Sequence, residues 1–323
     1  MSCRDTKRIA LIIPYFGNFK NYFPLFLTSC KNNPTIDWLI FTDTEVEYVY
    51  PPNVHVTHID FEGFRKRVQD NFNFAICLDR PYKLCDFKPA YGEIFREELT
   101  DYDYWGYCDC DLIFGDIRHF LTADILESNC KIFTRGHLTI WHNDDITNSY
   151  YKVQTYVDYK KVLMMPQPFS FDEWPGISKA WDMDEKPYFD GLCMDDILCS
   201  RDGFHPTKKI SGYGKPYNRQ NSDESKRYKR MKNIIYIYRH GKLNRMWREG
   251  GNVQEEEILY VHFQKRNFNV ELPNSKADSF IVVPNSFIED QPVNISSLKK
   301  LNPDRLTLKN IKASINHLLG RGL

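Results

Sequence analysis

Ile9-Ala-Leu-Ile-Ile13 sets five apolar residues in unbroken succession, and Pro14 ends the run. A half-exposed strand would alternate with polar residues. A continuous apolar run needs both of its faces covered, as in a parallel sheet between layers of helices. Trp38-Leu-Ile-Phe41 repeats the pattern ahead of Thr42-Asp43, and Val54-His-Val56 follows the turn at Pro51-Pro-Asn53. Tyr22 to Cys30 reads as a helix between the first two. Strand, helix and strand at this spacing predict an α/β fold with a mostly parallel central sheet. Ligands of such sheets sit beyond the carboxyl ends of the strands, which places Pro14, Tyr15, Phe16, Thr42 and Asp43 where a ligand binds, though ordinary loop chemistry also suits these residues.

The 323 residues suffice for one large domain with insertions. Phe61 to Ala75 reads as a basic, solvated helix. Tyr82-Lys-Leu-Cys-Asp-Phe-Lys-Pro-Ala-Tyr-Gly92 leads into a helix over Glu93 to Leu99. An aromatic strand follows, from Tyr102 to Asp116. Lys131 to Phe133 and Leu138 to Trp141 are further strands, with a helix over Phe120 to Glu127. The stretch 211–248 turns polar, basic and rich in tyrosine, and Asn218 to Lys232 has the character of a mobile lid. Ile258 to Phe263 is one more strand. The expected organisation is a main domain over 1–270, with an insertion or lid at 211–248, and a C-terminal extension over 271–323 carrying a short basic helix from Leu306 to Leu319.

Lys and Arg number 43 and Asp and Glu 43, so no global field draws the chain to nucleic acid. Nine cysteines without a CxxC pair suggest free thiols in a reducing compartment. The apolar run at the N-terminus is too short for a signal core, and no window approaches the roughly 20 residues of a membrane span. A soluble cytoplasmic protein is expected, peripheral to the inner face of the membrane at most. Aromatic residues make up 15%, enough to fill a core and also to grip sugars or bases.

Asp109-Cys110-Asp111 carries the chemistry. In an extended chain, side chains two apart share a face, so the two carboxylates converge at the strand tip. Hard oxygen donors suit Mg²⁺ or Mn²⁺, and a diphosphate completes the coordination of such an ion. The apolar Leu112-Ile-Phe114 and then Gly115-Asp116 follow, so the acids stand at the end of a buried strand. The same periodicity sends Cys108 and Cys110 to the opposite face as core thiols.

This pattern resembles the nucleotide-sugar site of the glycosyltransferase A (GT-A) fold, and more narrowly that of the glycogenin and bacterial lipopolysaccharide galactosyltransferase group. Met194-Asp-Asp-Ile-Leu198 and Val261-His-Phe263 with Lys265 extend the likeness, which covers roughly residues 7 to 266. The chain also resembles a family of bacterial surface-polysaccharide transferases of uncharacterised activity, through Tyr82 to Gly92. The resemblance implies a Rossmann-like sheet with helices on both faces plus a C-terminal extension. It implies His262 as a third metal ligand beside Asp109 and Asp111, and Lys265 and Arg266 as holders of the diphosphate. Asp86 and Lys88 would hold the ribose or donor sugar. His137 and Trp141 are acceptor-side candidates.

What the resemblance implies as activity is a metal-dependent glycosyltransferase that moves a hexose or N-acetylhexosamine from a UDP-sugar to a glycan or lipid-linked glycan acceptor of capsule or lipopolysaccharide. Asp195 and Asp196 match by order the acid facing the donor in the retaining group, although Met194 stands where that group has an acid and Asp195 where it has a glutamine. The rival for the chemistry is Phe171-Asp-Glu-Trp-Pro-Gly176, where Asp172 or Glu173 would act as general base in an inverting enzyme. A glycan-binding protein on a decayed transferase fold and a metal-dependent phosphohydrolase are the alternatives from other classes.

Overall fold

Ile9–Pro14 is a strand, and its first five residues are at most 2% exposed. That burial is what the unbroken apolar run demands. The computed structural model describes residues 6–174, 176–191, 193–206, 228, 230–273, 277–303 and 307–318. The chain divides into two units: Met1–Phe19, Pro34–Cys110 and Leu121–Gly191 form the first, and Lys20–Asn33, Asp111–Phe120 and Leu192–Leu323 the second.

The first unit holds a seven-stranded sheet in the order Val54–His58, Ile36–Thr42, Ile9–Pro14, Tyr104–Cys108, Leu138–His142, Lys131–Arg135, Tyr188–Phe189. The first four strands run parallel, with Ile9 opposite both Ile36 and Tyr104. Leu138–His142 pairs antiparallel with its neighbours on both sides, and the last pair is parallel again. The fold is therefore α/β with a mostly parallel sheet. Trp105, Tyr107, Phe41, Phe64, Phe95, Trp141 and Trp181 fill one core cluster, so Trp141 is a core residue and not an acceptor contact. Helix Phe61–Gln69 starts where Asp60 accepts a hydrogen bond from Gly63 N at 2.7 Å, a standard N-cap. It is shorter than the sequence suggests, and the helix expected over Glu93 to Leu99 is instead the single turn Tyr91–Ile94.

The strand expected over Tyr102 to Asp116 is two strands. Tyr104–Cys108 belongs to the seven-stranded sheet, and Leu112–Phe114 to a three-stranded sheet of the second unit. Asp109-Cys110-Asp111 is the bend where the chain leaves one sheet for the other. In the three-stranded sheet Tyr260–His262 lies in the middle, antiparallel to Leu112–Phe114 and parallel to Met194–Asp196.

The second unit also holds a six-stranded sheet, in the order Asn252–Glu257, Lys242–Glu249, Lys232–Arg239, Ser279–Val283, Ser286–Glu289, Asn269–Glu271. Two expectations give way here. Residues 232–248, read as part of an insertion or lid, form two neighbouring strands in which Ile235, Tyr236, Ile237, Tyr238 and Leu243 are buried. Tyr236, Tyr238 and Arg245 face inward, which composition alone conceals. A boundary at 270 would cut through Asn269–Glu271, which pairs with Ser286–Glu289. The rest of the lid reading, 211–227 and 229, lies outside the described residues. The helix expected over Leu306 to Leu319 is described as Leu308–Leu318.

Buried charge marks both units. In the first, Lys131 is fully buried, donates to Ser178 Oγ at 2.8 Å, and stands 4.6 Å from the centre of the Trp141 ring. Burial pushes its ammonium down to about 7, against the pull of Asp190. In the second, Asp195 accepts from Tyr228 Oη at 2.6 Å, Tyr236 Oη at 2.8 Å and Arg245 Nη1 at 2.6 Å. Arg245 is 1% exposed and reaches Glu256 with its other nitrogen.

Two outcomes follow for stability. An unfolded chain keeps the Lys131 proton up to about pH 10, whereas the folded chain releases it near 7. Between those values the unfolded state binds more protons, so this group makes stability rise with pH. Calorimetry should therefore show Tm rising less between pH 7 and 9 in Lys131→Met than in the parent, and parallel curves would refute the assignment. Asp195→Ala should cost about 3 kcal/mol in urea unfolding, because the Arg245 cation loses its principal buried partner. A loss under about 1 kcal/mol would show that the network is not a structural centre.

Candidate functional site

In the first unit Lys88 organises the acids. It lies in the short helical turn Lys88–Ala90, just after the turn Pro81–Asp86. Its Nζ donates to Gly136 O at 2.7 Å and to Asp109 Oδ1 at 3.1 Å, and stands 3.3 Å from Asp172 Oδ2. Burial pulls the Lys88 ammonium down, but Asp109 and Asp172 outweigh it and hold the group well above its ordinary value. Burial likewise pushes the Asp172 carboxyl up, to about 7, with Glu173 and Asp109 adding to it against Lys88. Glu173, next along the chain and exposed, accepts from Gly136 N at 3.1 Å.

Gly136 explains why these acids converge. A Cβ there would stand 2.4 Å from Glu173 Oε1 and 2.7 Å from Asp172 Oδ2. Only a residue without a side chain lets the turn between Lys131–Arg135 and Leu138–His142 lie against both carboxylates. His137 is buried, and its carbonyl accepts from Asp109 N at 3.1 Å, so its backbone fixes the first acid of the bend.

In the second unit His262 ends the middle strand of the three-stranded sheet, opposite both Leu112 and Asp196. Its Nδ1 is 2.8 Å from Asp196 Oδ1, and its Nε2 is 3.4 Å from Asp111 Oδ1. Gln264 Nε2 donates to both Asp196 oxygens at 2.9 Å, fixing that carboxylate in turn. The Lys265 backbone N–H donates to Asp111 Oδ2. Gln264 and Lys265 both adopt positive φ, 48° and 61°, which turns the chain back over Asp111 immediately after the strand. Burial pushes the Asp111 carboxyl up, but His262 and the Lys265 amide more than reverse this and bring it to about 2. Burial pulls the His262 imidazole down, and the two carboxylates outweigh it and raise it well above its ordinary value.

Such a set suits a divalent ion. A carboxylate on one imidazole nitrogen orients the ring and leaves the other nitrogen to act as a ligand. Asp111 supplies an ionised oxygen beside it, and oxygen with imidazole is a normal donor set for Mn²⁺. Among the described residues Asp109 precedes Asp111 by two places, at the chain's passage between the sheets.

Other expected site residues are placed differently. Asp86 is 1% exposed, pairs with the fully buried Lys83 at 2.7 Å, and accepts from the Phe169 and Phe171 amides at 2.9 Å. It anchors the loop that carries Asp172 and does not face a ligand. Arg266 is spent on the carbonyls of Pro284, Leu198, Arg201 and Gly203, at 2.7 to 3.1 Å, so it is not a diphosphate contact. Asp195 is enclosed by Tyr228, Tyr236 and Arg245, and Asp196 is held by Gln264 against His262. Lys265 is exposed. At the ends of the first two strands Tyr15 N donates to Phe41 O at 2.8 Å, and Gly17 N, at φ 97°, donates to Asp43 Oδ1 at 2.7 Å. Pro14 closes its strand, Thr42 is buried, and Phe16 packs edge-on to Phe61. Gly136 and Gln264 carry no signal in the sequence: no local pattern distinguishes a glycine of close approach or a glutamine that braces an aspartate.

Residues 11–291 match the model of the family described as "Family of unknown function (DUF6625)", and the chain belongs to that family. No curated protein matches it. Among solved structures it is similar to the galactosyltransferase LgtC in complex with donor and acceptor sugar analogues, at 10% identity and TM-score 0.39 over 79% of this chain and 87% of that one. It is similar to a glycosyltransferase involved in glycosylation of the major capsid of PBCV-1, at 8% identity and TM-score 0.35 over 84% and 97%. A third is the glycosyltransferase GlyE of Streptococcus pneumoniae TIGR4, at 13% identity and TM-score 0.31 over 57% and 45%.

Proposed function

We propose that this family member is a GT-A glycosyltransferase that uses Mn²⁺ or Mg²⁺ to move a hexose or N-acetylhexosamine from a UDP-sugar to a surface-glycan acceptor. The observation that carries the reading is His262, with Nδ1 held by Asp196 and Nε2 turned to Asp111. Asp111 and His262 of the second unit would hold the ion. A divalent ion there takes up negative charge as the nucleoside diphosphate leaves. The chain's own work is to keep Asp111 ionised, to fix the imidazole and to place carboxylates for the acceptor. Pro14 to Phe16, Thr42 and Asp43, at the carboxyl ends of parallel strands, would bind the nucleotide.

For the transfer step the buried environment of Asp195 favours the inverting reading over the retaining one. A carboxylate already accepting from two tyrosines and an arginine has little left to offer an anomeric carbon. Glu173 is exposed, held by Gly136 N, and next in the chain to Asp172, which pairs with Lys88, so it is the better-placed candidate for a general base to an acceptor hydroxyl. Lys88 and Asp172 would set the local charge around it.

With UDP-sugars and Mn²⁺ the protein should release UDP, and EDTA should stop it. Release of inorganic phosphate would instead mark a phosphohydrolase, and glycan binding without any UDP release a decayed fold. Asp111→Asn and His262→Ala should each abolish Mn²⁺-dependent UDP binding in calorimetry, and full binding in either sinks the metal assignment. Glu173→Gln should slow transfer by about 10²- to 10⁴-fold while UDP binding survives, with the product inverted at the anomeric carbon by NMR. A retained product, or unchanged transfer in Glu173→Gln, overturns the base assignment.

A further inference from the structure

The second unit holds a cavity of about 780 Å³ whose described walls include none of Asp111, Asp196, His262, Gln264 and Lys265. A small-molecule pocket ordinarily measures about 300–1,000 Å³ and is largely formed before its ligand arrives. Here the walls come from separate stretches of chain that side chains tie to one another. Arg266 donates to Gly203 O at 3.1 Å and to Pro284 O at 3.0 Å. Asn302 Nδ2 donates to Ile234 O at 2.7 Å, Asn233 Nδ2 donates to Asn302 O at 2.8 Å, and Asp202 N donates to Asn310 Oδ1 at 2.9 Å. Tyr228, also on the wall, is fixed through its hydroxyl, which donates to Asp195 at 2.6 Å and accepts from Arg245 at 2.8 Å. Walls held in this way cost little to order when a ligand enters.

The lining selects the ligand. Asp202 and Lys232 are its formally charged side chains, opposite in sign, and Asp202 already pairs with Lys309 at 3.5 Å. A phosphate or a nucleotide would meet no surplus of positive charge there. Asn285, Thr307 and Asn310 put amides and a hydroxyl on the walls, groups that both donate and accept, as sugar hydroxyls do. A wholly apolar ligand would take water from these groups and return no hydrogen bond. Phe204, Met231, Ile234 and Val283 are buried and give the same cavity an apolar side, which suits the C–H face of a sugar ring.

We propose that this cavity binds a short, uncharged oligosaccharide, with hydroxyls on Asn285, Thr307 and Asn310 and a ring face on the apolar side. The site needs neither the divalent ion nor the transfer reaction, so it stands or falls separately from the proposed activity.

The test is titration calorimetry of the full chain with lactose, maltose and N,N′-diacetylchitobiose. At least one of the three is expected to bind, equally well in EDTA and in Asp111→Asn. Asn285 is exposed at the turn between Ser279–Val283 and Ser286–Glu289. Asn285→Ala should weaken binding about two- to tenfold, the loss of one hydrogen bond. Asn285→Trp, which sets a large ring in the cavity from that turn, should abolish it. Both variants should keep the parent Tm, since an exposed side chain carries little of the fold. Failure of all three sugars to bind overturns the proposal, as does binding that survives Asn285→Trp. Binding that disappears in Asp111→Asn would place the sugar at the acids and overturn it too. UMP binding that Asn285→Trp abolishes, without sugar binding, would show a nucleotide in the cavity and would equally overturn it.

Discussion

Tyr260–His262 is only three residues long, and both of its edges are hydrogen-bonded. A buried strand cannot leave its amides and carbonyls unpaired, so the partners on either side are obligatory. They are Leu112–Phe114, which follows the acidic bend, and Met194–Asp196, more than 80 residues further on. Pairing in this register sets His262 opposite Leu112 on one side and Asp196 on the other. Asp111, His262 and Asp196 are thereby assembled from three distant stretches by backbone bonds. The side-chain contacts of the site follow from that register, and the left-handed turn at Gln264 and Lys265 closes the backbone over Asp111.

The parallel half of the first sheet could be read from the sequence because its strands are buried on both faces, and such strands are apolar without interruption. The bend at Asp109 to Asp111 could be read because acids at the end of an apolar strand are out of place unless something neutralises them. His262 could be placed through its order in the chain. The six-stranded sheet escaped for the opposite reason. Lys232–Arg239 and Lys242–Glu249 carry tyrosine, asparagine and arginine on faces that turn out to be internal, where Arg245 meets Asp195 and Arg248 Nε donates to Asn233 at 2.9 Å. Periodicity cannot separate a polar surface from a polar interior, since both show the same residue types.

The same ambiguity divides the candidate acids. Asp86, Asp109, Asp172 and Asp195 look alike as letters. Asp86 and Asp195 sit among donors that satisfy them completely, with Lys83 and two amides around the one and Arg245 and two tyrosines around the other. Buried charges of that sort hold loops and sheets in register, and the cost of removing one partner is structural. Asp109 and Asp172 share Lys88 between them.

Asp111 and Asp172 show how one chain makes two carboxylates differ. Both are buried, and burial alone raises a carboxyl in each place. At Asp111 an imidazole and a backbone amide reverse the effect and bring it to about 2, so it stays ionised across the whole physiological range. At Asp172 the neighbouring Glu173 and Asp109 add to burial, and Lys88 offsets only part of the sum, leaving the group near 7. An acid that never takes a proton is suited to hold a cation. One poised at neutrality is suited to tune a proton transfer at its neighbour, because its own charge changes over the pH range in which the neighbour works. Divergence of this kind between acids of one protein is a mark of acid–base chemistry. Glu173, next along the chain from the poised acid, is exposed and accepts from Gly136 N at 3.1 Å.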